Sequence, residues 1–431
     1  MVNLLSDAWK NFDSYELRLL LDKHIGGPGQ YDKSAGSPNK LYLPLARQSC
    51  RIALTFRDKK IVAIEPGPAF DSAEWNRMSK EITESLVGPV KIGRDFSFSG
   101  FRVQGSWRGL HSGVQILPPP NTAPRAPVEL AEHPFILEFP IVVSDSWPLT
   151  NHRRMRQHRK LTLLLNVLLR GGTSLQPRQP RHFWANIAWE QKGPQIGWVQ
   201  EFFFAELGDP VIDVASVLAG EQLEEIAPEE YYAQAGHDGQ GLRVPADLDE
   251  SINRYLQLDE ANRLKFDRAA FWMDMADRQW TVSVSSSFAS LVSAVEALTD
   301  RGTTHRVYCK LCKSECQHEM PGATERFRAF FEEFASGASL RNRRNQMYSL
   351  RSGILHGSDL MQIDQDISFG WDPPEWNERE LHQELWGLTR VALRNWLKAP
   401  SKSSAAGPQQ WWGRRWSSNC LNWLRGVIRF N

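Results

Sequence analysis

Residues 265–298, KFDRAAFWMDMADRQWTVSVSSSFASLVSAVEAL, decide the fold of the C-terminal half of the chain. Apolar side chains recur there in steps of three, four or seven, as on one stripe of a helix: Phe266, Ala270, Met273, Trp280, Val284, Phe288, Leu291, Val295 and Leu298. The pattern predicts one long helix or two nearly collinear helices. Helical patterns also cover residues 323–336, 340–356 and 377–398, the last behind a capping-box start at Asn377 and Glu380. We therefore expect an all-α bundle over residues 263–400.

The N-terminal part of the chain has the pattern of short strands instead. Between residues 41 and 143, short runs typical of strands alternate with Gly, Pro and Asp-Lys-Lys turns. Residues 51–66 predict a hairpin that turns at residues 58–60, and residues 71–86 predict a helix capped by Asp71 or Ser72. Together with an amphipathic helix at the N-terminus, residues 1–150 are expected to form a mixed α+β domain.

The charges are balanced overall but unevenly distributed. The 431 residues carry 51 basic and 50 acidic side chains, which excludes a uniformly basic nucleic-acid-coating protein. Residues 151–184 nevertheless hold eight basic side chains and no acid, whereas residues 221–260 hold eleven acids and two bases. Two interpretations stay open for this connecting region, residues 151–262: the charged segments form solvated or mutually paired faces, or the basic segment docks RNA. The region is expected to pack with the N-terminal domain.

No segment predicts export or membrane insertion. The longest apolar stretch, residues 161–169, has nine residues, against the roughly 20 that a spanning helix needs. Five cysteines without the spacing of a disulfide framework favour the cytoplasm. Residues 401–431 form a basic, aromatic tail, and three roles stay open for it: docking onto the bundle, lying on an anionic membrane surface, or stacking on nucleic-acid bases.

The stretch at residues 341–357, RNRRNQMYSLRSGILHG, carries the candidate chemistry. Arg351 offers a permanently charged fork for phosphate oxygens, and His356 can exchange a proton near neutral pH. Five helical positions separate them by roughly 140°, so the pair shares a face only if the helix breaks between them, as Gly353 and Gly357 would allow. Alternatively, two copies of the helix pack about a twofold axis and form one composite cleft.

Three quoted segments carry a family resemblance: SFASLVSAVEALTD at residues 287–300, the Phe-rich helix at residues 323–336, and MYSLRSGILHGSDL at residues 347–360. Together they resemble the Apea-like branch of the HEPN superfamily (higher eukaryotes and prokaryotes nucleotide-binding). The resemblance spans residues 265–398, about a third of the chain. It implies an often dimeric helical bundle whose Arg-x(4–6)-His motif marks metal-independent ribonucleases of defence and RNA-processing systems.

Roles for single residues follow from that resemblance. It implies that Arg351 binds phosphate and stabilises charge, that His356 is the general base or acid, and that Glu296 orients the arginine. For Glu296 the alternative stays open of a solvent-facing residue or a structural salt-bridge partner. Tyr348 either packs in the core or lines the cleft. The basic residues ahead of the motif are candidates to follow an RNA backbone, or they form a solvated helix end: Arg341, Arg343 and Arg344.

A cysteine-rich link between the bundle helices is the second candidate site. Three thiols lie at spacings suited to zinc, at Cys309, Cys312 and Cys316, and His318 or His305 would complete a tetrahedral set. Such a zinc would be structural, because four protein ligands leave no open position. Reduced surface cysteines are the alternative.

Catalysis by the Arg351–His356 pair needs no cofactor. The acidic residues at positions 359, 364 and 366 lack the spacing of a metal cage and predict a hydrophilic loop.

These observations predict a cytoplasmic, metal-independent endoribonuclease. Its fold is expected to be an α+β N-terminal region followed by an all-α HEPN-like bundle. The resemblance implies RNA as substrate, a homodimer formed through the bundle, and a role in antiphage defence or stress response. In one interpretation, the N-terminal region senses a phage-derived or small-molecule trigger. The alternative is a non-catalytic HEPN protein that binds RNA or nucleotide, or serves as a scaffold.

Overall fold

A computed structural model gives the structure of the chain at residues 3–10, 13–27, 29–31, 39–46, 50–120, 133–175, 207–218, 220–233, 241–299, 307–308, 315–316, 322–336, 341–365 and 373–399. Helices and sheets are both present, and the C-terminal region is helical. The tail at residues 401–431, with its three open roles, lies outside the described residues.

The helices of the described residues, in chain order, are Asp7–Lys10 (α1), Ser14–Asp22 (α2), Ser72–Leu86 (α3), Trp147–Leu168 (α4), Pro228–Ala233 (α5), Leu248–Gln257 (α6), Glu260–Gln279 (α7), Val284–Leu298 (α8), Ala323–Phe334 (α9), Arg341–Leu355 (α10), Gln362–Gln365 (α11) and Pro373–Lys398 (α12). Long helices follow one another only from α6 onward, so the helical region begins before residue 265, where the apolar stripe in the sequence starts.

The strands, in chain order, are Gln30–Tyr31 (β1), Lys40–Pro44 (β2), Arg51–Arg57 (β3), Lys60–Pro66 (β4), Val90–Ser99 (β5), Trp107–Arg108 (β6), Gln115–Leu117 (β7), His133–Val142 (β8), Thr173–Ser174 (β9), Val211–Ile212 (β10), Glu225–Ile226 (β11), Val244–Pro245 (β12), Val307–Tyr308 (β13) and Glu315–Cys316 (β14). They form a four-stranded sheet in the order β1-β2-β3-β4 and a six-stranded sheet in the order β10-β5-β8-β7-β6, with β9 paired to β5. Two small ribbons pair β11 with β12 and β13 with β14.

The chain divides into two compact units that do not follow its linear order. The first unit comprises residues 1–94, 139–158 and 209–215, and the second comprises residues 95–138, 159–208 and 216–431. The expected N-terminal domain, residues 1–150, therefore contributes to both units. Strands β5 and β8 and helix α4 likewise begin in one unit and end in the other.

The first unit is built on the antiparallel hairpin of β3 and β4, as the sequence predicts. Asp58 and Lys59, at its turn, both have positive φ angles, which is the geometry of a tight two-residue hairpin turn. Alternate residues of the strands, among them Ile52, Leu54 and Ile64, are fully buried. They share one apolar core with side chains of α2 and α3.

Helix α3 confirms the predicted helix over residues 71–86. The carboxylate of Asp71 accepts hydrogen bonds from the backbone N–H groups of Ala73 and Glu74, so it is the N-cap. The helix buries the predicted stripe of Trp75, Met78, Ile82 and Leu86. The single amphipathic helix expected at the N-terminus is wrong, because two helices occur there and Asp13 caps the second one, α2.

The second unit contains the helices on which the candidate site lies. Helices α7 and α8 are separate, since α7 ends at Gln279 and the Ser283 hydroxyl caps α8 by accepting from Ser286 N. Helix α8 packs against α7, α10 and α12 and is buried around most of its circumference, which explains its unusually apolar sequence. Helix α12 begins at Pro373, four residues before the predicted Asn377 start, because proline is well suited to a first helical turn.

Candidate active site

Helix α10 carries the candidate Arg-x4-His motif and runs unbroken to Leu355. Backbone hydrogen bonds join Gly357 N to Ile354 O and Ser358 N to Gly353 O, at 3.1 and 3.0 Å. With Gly357 at a φ of +71°, this is a Schellman motif, in which a left-handed glycine ends the helix. His356 is the C-cap residue of α10. Of the two alternatives left open by the sequence, a break of the helix between Arg351 and His356 does not occur.

Arg351 and Glu296 form the centre of the site. Arg351 Nη2 lies 2.7 Å from Glu296 Oε2, so an ion pair joins α10 to α8 across 55 positions of sequence. The side chain of Arg351 is 19% exposed and that of Glu296 is 30% exposed. The Arg351 side chain is therefore held in place by the ion pair and is partly exposed. This ion pair fits both an arginine-orienting role and a structural salt bridge for Glu296.

Tyr348 completes a cluster with them. Its hydroxyl donates to Glu296 Oε1 at 3.2 Å, and its ring centroid lies 5.6 Å from the Arg351 guanidinium carbon. On another side the ring packs against Phe327 of α9, with centroids 5.3 Å apart. Burial, followed by the charge of Glu296, raises the pKa of Tyr348, so the hydroxyl stays protonated and donates at neutral pH. Of the two roles open for Tyr348, the structure places it mainly in the core.

His356 lies apart from this cluster. Its side chain is exposed, and its imidazole makes no hydrogen bond or ion pair with any residue that the structure describes. Because α10 is regular from Arg351 to Leu355, the two motif side chains point about 140° apart. One chain therefore presents the cation and the imidazole on different faces of the helix end.

Gly353 has a role that the sequence did not reveal. A Cβ built on it would lie 2.7 Å from the Cβ of Asp359, so glycine lets the chain that follows the helix fold back against α10. Gly353 was expected to loosen the helix between the two motif residues. It instead lets Asp359 approach α10 closely, and the helix stays regular.

The loop after the motif is fastened by Asp364, a residue for which sequence reasoning found no specific role. Its carboxylate accepts from Ser283 Oγ at 2.8 Å, Val284 N at 3.1 Å and Ser285 N at 2.7 Å, at the first turn of α8. Burial opposes ionisation, but these hydrogen bonds outweigh it and lower the pKa of the Asp364 carboxyl. The contact joins residues 80 positions apart, so no local signal in the sequence could have identified it.

The basic residues ahead of the motif are engaged within the protein. Arg344 is 2% exposed and donates to the carbonyl of Ala335, the C-cap residue of α9, which corrects the expectation that it lies along an RNA backbone. Arg343 Nε lies 2.8 Å from Glu384 Oε2 of α12. The side chain of Arg341 lies outside the described residues. Of the three, only Arg343 is described with part of its side chain at the surface.

The basic segment of α4 is likewise paired. In the first unit, the Nε and Nη2 atoms of Arg153 donate to Glu16 Oε2 at 3.0 and 2.7 Å. In the second unit, Lys160 Nζ lies 3.0 Å from Asp267 Oδ2 of α7. These acids come from α2 and α7, not from residues 221–260. Arg153 and Lys160 are therefore neither on a solvated face nor paired with the acidic segment, as the structural interpretation expected, but they are engaged within the protein and not free to dock RNA.

The predicted zinc ligands fall outside the residues whose side chains are described: Cys309, Cys312, Cys316 and His318, together with His305. The backbone nevertheless pairs β13 with β14 in antiparallel register, Val307 opposite Cys316. Among described side chains, no group of three or more His, Cys, Asp or Glu residues is placed to hold a metal ion. The zinc site stays a prediction.

Comparisons with known proteins add no family assignment. The chain matches no protein-family model, no curated protein and no solved structure. Among the described helices, none combines the length and the apolar character needed to cross a bilayer. The Glu296–Tyr348–Arg351 cluster and the exposed His356 are therefore the features from which a function can be inferred.

Proposed function

We propose that this chain is a metal-independent endoribonuclease of HEPN type. The observation that carries the proposal is the ion pair of Arg351 with Glu296, which holds a partly exposed guanidinium beside the end of the motif helix. It agrees with the part that the HEPN resemblance gives to these two residues. A fixed guanidinium is suited to a phosphate, because N–H groups of the Nη atoms that the ion pair does not use can donate to phosphate oxygens.

The proposed reaction is attack by a ribose 2′-hydroxyl on its own 3′-phosphate. The bond from O2′ to phosphorus forms, the bond from phosphorus to O5′ breaks, and the products end in a 2′,3′-cyclic phosphate and a 5′-hydroxyl. His356 takes the proton of the 2′-hydroxyl or gives one to the leaving O5′. Arg351 stabilises the charge that builds on the phosphorane oxygens. Arg343 supplies further contact to the RNA backbone.

The proposed site is composite. Since one helix points Arg351 and His356 about 140° apart, we place the Arg351 of one copy beside the His356 of a second copy in a homodimer. A role in antiphage defence or stress response in the cytoplasm, with the N-terminal region coupled to a phage-derived or small-molecule trigger, is the context that the resemblance suggests. A structural zinc at the cysteine-rich link belongs to the same proposal and takes no part in the reaction.

A second candidate function is a non-catalytic RNA-binding, nucleotide-binding or scaffold protein. It is favoured by the structural roles that both motif residues have: Arg351 ties α10 to α8, and His356 occupies the C-cap of α10. In that case neither side chain would need to meet a phosphate.

The test is to map RNA ends after brief expression of the wild type, His356→Ala and Arg351→Ala. Ligation that requires a 2′,3′-cyclic phosphate reports the expected product directly. We expect new cyclic-phosphate ends in the wild type and their loss in both variants. His111→Ala is the matched control, because His111 is also an exposed histidine of the second unit but lies on the turn between β6 and β7. Identical end profiles in wild type and variants, in RNA isolated after phage challenge as well, would reject the ribonuclease.

Mixing the two inactive variants then tests the composite site. A heterodimer of His356→Ala and Arg351→Ala contains one complete pair if the two residues come from different copies. Cleavage that returns on mixing supports the composite site. If purified wild type cleaves and the mixture does not, both residues act within one chain and the proposed arrangement is wrong.

A further inference from the structure

The two oxygens of the Glu296 carboxylate bind two different donors of α10. Oε2 takes Nη2 of Arg351 at 2.7 Å, and Oε1 takes the hydroxyl of Tyr348 at 3.2 Å. Tyr348 and Arg351 stand three positions apart, so they are neighbours on one face of the helix. The hydrogen bond from the tyrosine hydroxyl to Oε1 therefore limits rotation of the Glu296 carboxylate. This rotation sets the position of Oε2, the oxygen that binds Arg351.

The ring of Tyr348 restrains the same guanidinium from its face. The Arg351 guanidinium carbon lies 5.6 Å from the ring centroid, within the range of a cation–π contact. Nε of Arg351 is buried and has no hydrogen-bond partner among the residues described. Within that part of the chain, the orientation of the guanidinium thus rests on one carboxylate and one ring, and Tyr348 acts on both.

Tyr348 itself is poorly placed to touch a substrate. It is 8% exposed, and its ring packs against Phe327. This packing fixes the ring, and burial keeps the hydroxyl protonated by raising the pKa of Tyr348. These surroundings suit a side chain that positions its neighbours and not one that contacts RNA.

We infer that Tyr348 is a positioning residue, whose hydroxyl orients Glu296 and whose ring orients Arg351 toward the phosphate of the RNA. The inference rests on the proposed ribonuclease function and replaces the expected RNA contact at Tyr348. A hydrogen bond to a charged group contributes enough that its loss should slow cleavage about tenfold. RNA affinity should change less than about twofold, because the cation itself is retained.

The experiment is a double-mutant cycle with Tyr348→Phe and Glu296→Gln in the full chain. The phenylalanine keeps the ring and its packing and removes only the hydroxyl. Two readouts are taken: the cleavage rate at saturating RNA, and the Nη proton signals of ¹⁵N-labelled arginine, with the Arg351 signals assigned by their absence in Arg351→Lys. Tyr255→Phe is the matched control, since Tyr255 also donates to a carboxylate, that of Asp267, at 2.6 Å.

We expect Tyr348→Phe to slow cleavage about tenfold and to average the Arg351 Nη signals, with no further loss when it is added to Glu296→Gln. Tyr255→Phe should leave both readouts as in the wild type. Additive losses in the cycle, or sharp Arg351 signals and an unchanged cleavage rate in Tyr348→Phe, would overturn the positioning role. A wild type that cleaves no RNA in the end-mapping experiment rejects the ribonuclease instead, and the arginine signals then decide alone whether Tyr348 orients Arg351.

Discussion

We expect His382 to make the helical region sensitive to mild acid. It lies buried in α12, where its Nε2 is 2.8 Å from Ser287 Oγ of α8 and its ring lies 4.5 Å from that of Trp280. Because the Ser287 hydroxyl already donates to Ala276 O, the imidazole donates to Ser287 Oγ from Nε2. Burial lowers the pKa of His382 to about 4, and the opposing charge of Asp277 does not restore it.

The sign and size of the effect follow from this pKa. The pKa of His382 is 6.5 in the unfolded chain and about 4 in the folded protein. Between these two pH values the unfolded chain holds a proton that the folded chain lacks, so the stabilisation is present above pH 6.5 and is lost as the pH falls. At about 1.4 kcal/mol per pKa unit, the loss between pH 7 and pH 5 is about 2 kcal/mol, and it approaches about 3 kcal/mol at pH 4.

The assay compares urea denaturation of the wild type and His382→Gln at pH 7 and pH 5, followed by circular dichroism at 222 nm. Glutamine offers an amide donor to Ser287 and does not titrate, and all carboxylates titrate alike in both proteins. The wild type should lose about 2 kcal/mol more than the variant between the two pH values. Losses that agree within about 0.5 kcal/mol would refute the assignment of a neutral, buried imidazole.

Two further predictions concern the helix end and the first unit. Gly357→Ala should lower the free energy of unfolding by about 1 kcal/mol, because alanine is strained at a φ of +71°, whereas Gly357→Asn should cost less. In the first unit, Arg153→Ala should lower the free energy of unfolding by about 3 kcal/mol, since it leaves Glu16, which is 11% exposed, without its closest partner. Arg156→Ala should lower it by less than about 1 kcal/mol, because both Arg156 and its partner Asp13 are more than 30% exposed. Urea denaturation measures all four variants. An alanine at 357 as stable as glycine, or equal costs for the two arginines, would contradict these arguments.

Local signals in the sequence were sufficient for many elements of the fold. The Asp71 cap, the turn at Asp58 and Lys59, and the apolar stripe of α3 each depend on residues within a few positions of one another. Such features can be predicted because the physical cause lies inside the element. The start of α12 was placed too late because Asn377 and Glu380 resemble a capping box, while the helix extends back to Pro373.

The candidate site was predictable only in part, because its geometry depends on contacts between distant segments. The Arg351–Glu296 pair was anticipated from the family resemblance, not from periodicity. The burial of Arg344 against the end of α9, and the bond of Asp364 to the first turn of α8, follow from how the helices pack. Nothing in the spacing of these residues distinguishes them from a solvated arginine or a loop aspartate.

The unbroken helix α10 leads to a consequence for the mechanism. Gly353, which would have allowed a break, is instead used for the close approach of Asp359, and Gly357 ends the helix only after His356. The cation is then fixed from the side of α8, while the imidazole stands at the C-cap. A single chain thus does not place His356, the proposed proton-transfer group, beside Arg351, the proposed phosphate-binding group. In the proposed ribonuclease the second copy supplies that group, so we expect activity to depend on assembly as well as on chemistry.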